Sequence, residues 1–202
     1  MIQEFNENTL KYLNSFTENE IITNIVLILS DSPIFFLPIF LLSTWIYYTI
    51  KSNKEEKTKI LRIFYAPLLA IFINYFVKFF IEVERPETIL EATWKLILEH
   101  VPDNSFPSDH SSVWIAFTFA LLFFWYKKVF FAFLPFAVAM ILSRVIAWVH
   151  WPLDVIAWFV VWLVSAFVIY KTSDKLDFLD KIANKVDIFY IINNKIQKKW
   201  KQ

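Results

Sequence analysis

The chain is predicted to be an all-α integral membrane protein, a bundle of five to six transmembrane helices with amphipathic helices at the interfaces. Three observations lead there. Of its 202 residues, 57% are hydrophobic, against about 45–50% apolar in soluble domains. Several apolar runs approach the roughly 20 residues needed to cross a bilayer. The basic residues gather in short segments between those runs, as they do beside membrane spans.

Residues 1–20 read as a short amphipathic helix at the surface or interface, with Ile2, Phe5, Leu10, Leu13 and Phe16 as its apolar positions. Ile21–Leu29 is apolar but too short to span, and Asp31-Ser32-Pro33 is expected to break it, because proline opposes helix continuation. A sixth helix near residues 18–32 would then be partly embedded. The spans follow at about Pro33–Ile50, Ile60–Ile81, Ser111–Tyr126, Val129–Val149 and Leu153–Tyr170. Between the second and third, Thr88–Val101 has the pattern of an amphipathic surface helix. The tail from Lys171 to Gln202 alternates apolar and charged residues and ends KIQKKWKQ, a basic amphipathic segment for a membrane surface. The whole of 1–202 is expected to be one domain: an N-terminal segment 1–32, a transmembrane core 33–170 and a cytoplasmic tail 171–202.

Orientation follows from lysine and arginine in short loops. The 51–62 loop, Lys127-Lys128 and the tail all fall on one side, which is therefore expected to be the cytoplasm. The opposite side carries the acidic N-terminus, the 82–110 loop and the 144–154 turn. A net charge of +1 provides no basic field for nucleic acid. With no cysteine, the chain has no disulfide, thiolate metal site or cysteine nucleophile.

Polar groups at membrane depth are expensive and mark function, and here they occur in three places on the outer side. In SRVIAWVHWPLD, Arg144 precedes His150 by six residues and Asp154 follows it by four. A carboxylate four residues on can accept from one ring nitrogen, leaving the other free as a base or nucleophile. A histidine beside a tryptophan at an interface is by itself more often structural, and an aspartate at a helix start is more often a cap. In FPSDH, Ser108 is an ordinary N-cap before an apolar run, yet a helix start is also a ready anion site. His110 there could protonate a departing oxygen. In KFFIEVERP, Lys78 reads alone as a snorkelling lysine, while Arg85 can grip phosphate oxygens with two N–H groups. Together they supply three cations, a helix N-terminus, two histidines and a carboxylate, which suits phosphoryl transfer by positioning and charge stabilisation. No metal cluster competes in the sequence, and the third histidine, His100, reads as structural.

These stretches resemble the three signature motifs of the type 2 phosphatidic acid phosphatase superfamily. The family pattern is Lys, six residues, Arg-Pro; then Pro-Ser-Gly-His; then Ser-Arg, five residues, His, three residues, Asp. Here it reads Lys78…Arg85-Pro86, Pro107-Ser108-Asp109-His110 and Ser143-Arg144…His150…Asp154. The resemblance implies that His150 attacks phosphorus and forms a phosphohistidine, Asp154 orients it and His110 protonates the leaving group. It implies that Lys78, Arg85, Ser108 and Arg144 hold the phosphate, and that no metal or other cofactor is needed. Asp109 stands where most members have glycine. Its negative charge beside an anion is unfavourable unless it is paired or points away, so it is a possible accessory residue. The Phe-Pro-Ser-Asp-His form is similar to the bacitracin-resistance type of undecaprenyl-diphosphatase, although Glu87 stands where that subgroup often has arginine.

The resemblance thus implies a phosphatase of the bacterial cytoplasmic membrane, its site on the outer face, acting on undecaprenyl diphosphate or another phospholipid. The alternatives are phosphatidylglycerophosphate, phosphatidate or lipid A as substrate, or a non-catalytic lipid-binding or transport bundle. One oddity remains: the chain has no glycine and nine tryptophans, where about 7% glycine is average. Trp148 and Trp158 occupy positions that are usually glycine in the family, and Trp114 and Trp162 sit where small helix-contact residues would suit. A source that reads UGA as glycine would explain all four.

Overall fold

A computed structural model describes residues 2–89 and 104–186, and every one of its regular elements there is helical. In chain order they are α1 (Ile2–Asn14), α2 (Glu20–Ile50), α3 (Lys54–Lys78), α4 (Pro86–Ile89), α5 (Asp109–Phe123), α6 (Lys127–Ile146), α7 (Pro152–Lys171) and α8 (Asp177–Val186). Short 3-10 turns follow α1 and α7.

The helix starts obey local chemistry. Asn19 accepts from the amides of Ile21 and Ile22, and Asn53 from that of Glu56, each satisfying donors that a helix start leaves orphaned. Pro152 opens α7 at a position that needs no N–H, and the Asp154 carboxylate reaches back to the Trp151 amide at 3.3 Å.

The core is built around α5, which packs against α3, α7, α6 and α2. Phe117, Ala116, Ala120 and Leu121 on α5 are fully or almost fully buried, with Ile63 and Ala66 of α3 and Ala166 of α7 around them. Apolar side chains on the outer faces, such as Phe35 and Ile39 of α2 and Phe72 and Phe76 of α3, are exposed, as they must be where lipid is the solvent.

The predicted break at Asp31-Ser32-Pro33 is a bend rather than an end. The α2 hydrogen bonding runs through, but Glu20–Ser32 and Ile34–Ile50 meet at 51°. A proline removes one hydrogen bond and clashes with the preceding turn, which kinks a helix whose neighbours hold both halves. By length and composition α3, α6 and α7 can each cross a membrane, and the bent α2 makes a fourth. The predicted third span, α5, is also apolar, with 15 residues, and it stands at the centre of the bundle.

α1 lies across the end of the α6–α7 turn. Asn14 Nδ2 donates to the Ile146 carbonyl at 2.9 Å, and Asn6 Oδ1 accepts from the Leu153 amide at 3.2 Å. Of its predicted apolar positions Leu10 is buried, while Ile2, Phe5 and Phe16 are exposed, as suits an interfacial helix. At the opposite end Arg62 pairs with Asp177 and Asp180 of α8 at 2.7 and 2.9 Å, and Tyr126 hydrogen-bonds Glu56. The predicted helix over Thr88–Val101 falls mostly outside the described residues, as do His100 and the lysine-rich end of the tail.

Candidate active site

All three predicted motifs meet at one end of the bundle, where α3 and α6 finish and α5 and α7 begin. Lys78 is the last residue of α3, and its Nζ lies 2.7 Å from Asp109 Oδ2 at the start of α5. Asn74, one turn before Lys78 and fully buried, donates to the other Asp109 oxygen at 2.8 Å and to Ser112 Oγ at 2.6 Å. The charge added at Asp109 is therefore paired, the condition under which it is tolerable beside an anion. Ser108 behaves as the N-cap its position predicts, accepting from the Ser111 amide at 3.4 Å, and is itself buried.

Arg85 follows α3 in an extended segment and is buried, its Nη1 donating to the Val149 carbonyl at 2.8 Å. Glu84, beside it, accepts from Trp151 Nε1 at 2.9 Å. Val83 accepts from the Ser105 amide at 2.8 Å, and Asn104 Oδ1 caps the amides of both Val83 and Phe106. The first motif is thus stitched on one side to the segment before the second and on the other to the turn carrying His150.

His150 is 2% exposed, and its Nδ1 lies 2.6 Å from the Ser105 carbonyl. A carbonyl can only accept, so Nδ1 carries the proton of the neutral ring and Nε2 keeps its lone pair. Burial, then the Arg144 and Arg85 guanidiniums, hold the imidazole well below its ordinary pKa, and His110 adds in the same direction. Burial and the two guanidiniums thus favour the neutral form of the ring.

One expectation is corrected. Asp154 was placed to accept directly from His150. Instead its Oδ2 accepts from Ser105 Oγ at 2.7 Å, while the Ser105 carbonyl holds the imidazole. The cap at the start of α7 draws the carboxylate toward the Trp151 amide, so it reaches the ring only through Ser105. Arg144 is completely buried; its Nη1 lies 3.3 Å from Asp31 Oδ1 and 3.5 Å from the Ser30 carbonyl. The same Asp31 oxygen is 3.7 Å from His110 Nε2.

Three residues at this end were not anticipated. Asn74 announces itself only as an amide four residues before a lysine in an apolar run. Ser105 has no sequence signal beyond proximity to the second motif. Asp31 reads as part of a helix-breaking triplet. Trp148, two residues before His150, has φ +66°, a left-handed conformation that favours glycine.

The PAP2 superfamily profile matches residues 59–177, from early α3 to the start of α8. The chain belongs to the PAP2 superfamily. It is 30% identical over 187 residues to the bacitracin transport permease protein BcrC of Bacillus licheniformis, covering 90% of this chain and 87% of the relative. It is 27% identical over 182 residues to the undecaprenyl-diphosphatase BcrC of Bacillus subtilis (strain 168), covering 90% and 89%. The crystal structure of Aquifex aeolicus LpxE shares the fold, with a TM-score of 0.68 at 19% identity over 83% of this chain and 95% of that one. As a member of the family the chain is a multi-pass membrane phosphatase.

Proposed function

We propose that the chain, acting as one domain over 1–202, hydrolyses undecaprenyl diphosphate to the monophosphate and inorganic phosphate on the outer face of the bacterial cytoplasmic membrane. The single observation that carries the chemistry is the neutral, buried His150, with Nδ1 held by the Ser105 carbonyl. Its Nε2 lone pair attacks the distal phosphorus. The N–P bond forms as the bridging P–O bond breaks, and His110 gives its proton to the departing lipid phosphate. Water then attacks the phosphohistidine, returning the proton to His110 and releasing phosphate. Arg144, Arg85, Lys78 and the α5 start around Ser108 neutralise the charge on the transferring group, and Asp109 tethers Lys78.

Two observations support a lipid substrate. An apolar groove of about 500 Å³ runs along α3 over Leu68, Ile71, Phe72, Tyr75, Phe76 and Phe79. It ends beside a pocket of about 380 Å³ bounded by Lys78, Phe79 and Asn104. A lipid chain lying in the first would reach Lys78 at the edge of the second. The substrate itself rests on the Bacillus subtilis relative's name, and the outward orientation on the lysine distribution.

The Bacillus licheniformis relative carries a transport name, which favours a second reading as a non-catalytic lipid carrier. One assay separates them: phosphate release by the purified protein in detergent from undecaprenyl diphosphate, phosphatidylglycerophosphate, phosphatidate and lipid A, with a His150→Ala control. Preference for the diphosphate, abolished in the control, is the expected result. Preference for another lipid moves the substrate. No release from any lipid, with lipid binding unaffected by His150→Ala, sinks the enzymatic reading in favour of the carrier.

A further inference from the structure

The bend in α2 carries a carboxylate into the phosphate site from outside all three motifs. Ser30 Oγ donates to Ser143 Oγ at 3.1 Å, both groups buried, so the bend is fastened to α6 beside Arg144. Asp31 Oδ1 then sits 3.3 Å from Arg144 Nη1 and 3.7 Å from His110 Nε2. An oxygen between a fully buried guanidinium and the proposed proton donor stands where an oxygen of the transferring phosphoryl group would be held. A carboxylate at membrane depth is costly and is kept where it serves a site.

We propose that Asp31 is a further residue of the phosphate site, its carboxylate standing in for a phosphate oxygen in the free protein and competing with the anion for Arg144. This rests on the phosphatase reading above. Substrate displaces the carboxylate and is repelled by it, so the multiply charged product is held less tightly and leaves. Lys78 is matched in the same way by Asp109 at 2.7 Å, so two of the three cations meet the substrate already bearing a carboxylate.

The test is inorganic phosphate binding by the full-length protein in detergent, read by phosphorus NMR and as competitive inhibition of lipid turnover. Asp31→Asn removes the charge and keeps the shape. Its phosphate affinity is expected to rise about tenfold, or about 1.4 kcal/mol. Asp31→Ser serves as a second charge-removing variant should the amide disturb the bend. Affinity that is unchanged, weaker or undetectable in both overturns the proposal. Phosphate binding needs no turnover. Tighter phosphate without release from any lipid would therefore fault the catalytic reading alone, and normal turnover with affinity blind to Asp31 would fault this one alone.

The tryptophans carry an independent inference. Trp125 and Trp148 have φ +72° and +66°. Each follows a helix in the same arrangement: Trp125 N donates to Leu122 O and Tyr126 N to Leu121 O, and Trp148 N to Val145 O and Val149 N to Arg144 O. This is the Schellman ending, whose left-handed residue is usually glycine. Trp114 and Trp162 are 3% and 0% exposed, with buried Nε1 groups that meet no hydrogen-bond partner, although buried indoles normally find one. Trp151 and Trp45 differ. The first donates to Glu84 and the second takes the Lys57 ammonium over its ring at 4.4 Å.

We infer that the protein made by its source cell carries glycine at 114, 125, 148 and 162, through UGA codons read as glycine, and tryptophan at 45 and 151. Peptide mass mapping of protein purified from the source decides it. Each of the four positions is expected to show the mass of glycine, and tryptophan at 125 and 148 overturns the inference. In recombinant protein, Trp125→Gly and Trp148→Gly should raise the thermal midpoint by a few degrees and Trp151→Gly lower it. The opposite order overturns the inference as well.

Discussion

If Asp154 acts on His150 through Ser105, removing either should break the same connection. Ser105→Ala deletes the hydroxyl that donates to Asp154 Oδ2 at 2.7 Å and leaves the carbonyl that holds Nδ1. Asp154 is 8% exposed, so its carboxylate has little water to replace that donor and keeps only the Trp151 amide at 3.3 Å. A hydrogen bond to a charged group is worth about 1.5–3 kcal/mol. If that energy positions the imidazole, kcat/KM falls about ten- to a hundredfold. Asp154→Ala should cost at least as much. The double variant should be no worse than Asp154→Ala alone, because groups in one connected network are not additive. The assay is phosphate release from the preferred lipid under kcat/KM conditions for the four proteins of the cycle. Costs that simply add would refute the reasoning, since they would mean that Asp154 serves catalysis by a route that bypasses Ser105.

Other consequences are as direct. Arg85→Lys keeps the charge but loses the planar fork that holds the Val149 carbonyl and, in the proposed role, would also grip a phosphate, so kcat/KM should drop at least about tenfold; activity like that of the unaltered protein would show that charge alone suffices. Because the folded His150 has its pKa well below 6.5, the acid limb of kcat/KM due to the nucleophile should lie well below that pH, and a limb centred there would refute the tautomer argument. The same shift affects stability. The unfolded ring takes up a proton as pH falls through about 6.5 while the folded ring does not, so stability is full above that pH and declines below it. His150→Ala should flatten this part of the pH dependence of the thermal midpoint. Trp151→Phe removes the donor to Glu84 and should cost about 1 kcal/mol, seen as a lower thermal midpoint.

The order of the helices was legible in the chain because hydrophobic length and capping residues are local. Ser108 and Pro152 each mark a helix start within a few residues, whereas Asn53 caps α3 inside the stretch that reads as the 51–62 loop. The seven motif positions were legible for a related reason. Fixed spacings such as the four residues from His150 to Asp154 follow from the turn they must form, so the chemistry shows as a pattern. The α2 bend was half legible: Pro33 announced a disruption, but whether a helix kinks or stops depends on what holds its two halves.

Which group touches which could not be read in this way. His150 with Asp154 was the natural pairing by distance along the chain, yet Ser105, 45 residues away, holds the ring. Asp31 reaches Arg144 across 113 residues, and Asn74 reaches Asp109 across 35. Aspartate, asparagine and serine are common enough that nothing in their neighbours predicts these meetings. Composition and hydropathy therefore determined that this is a membrane protein, and the resemblance of its three motifs to the family pointed to a phosphatase and to its candidate residues. Only packing decided which carboxylate meets which cation and how dry the nucleophile is, because a hydrogen bond in a low-dielectric interior is set by the last ångström of approach between elements distant in the chain.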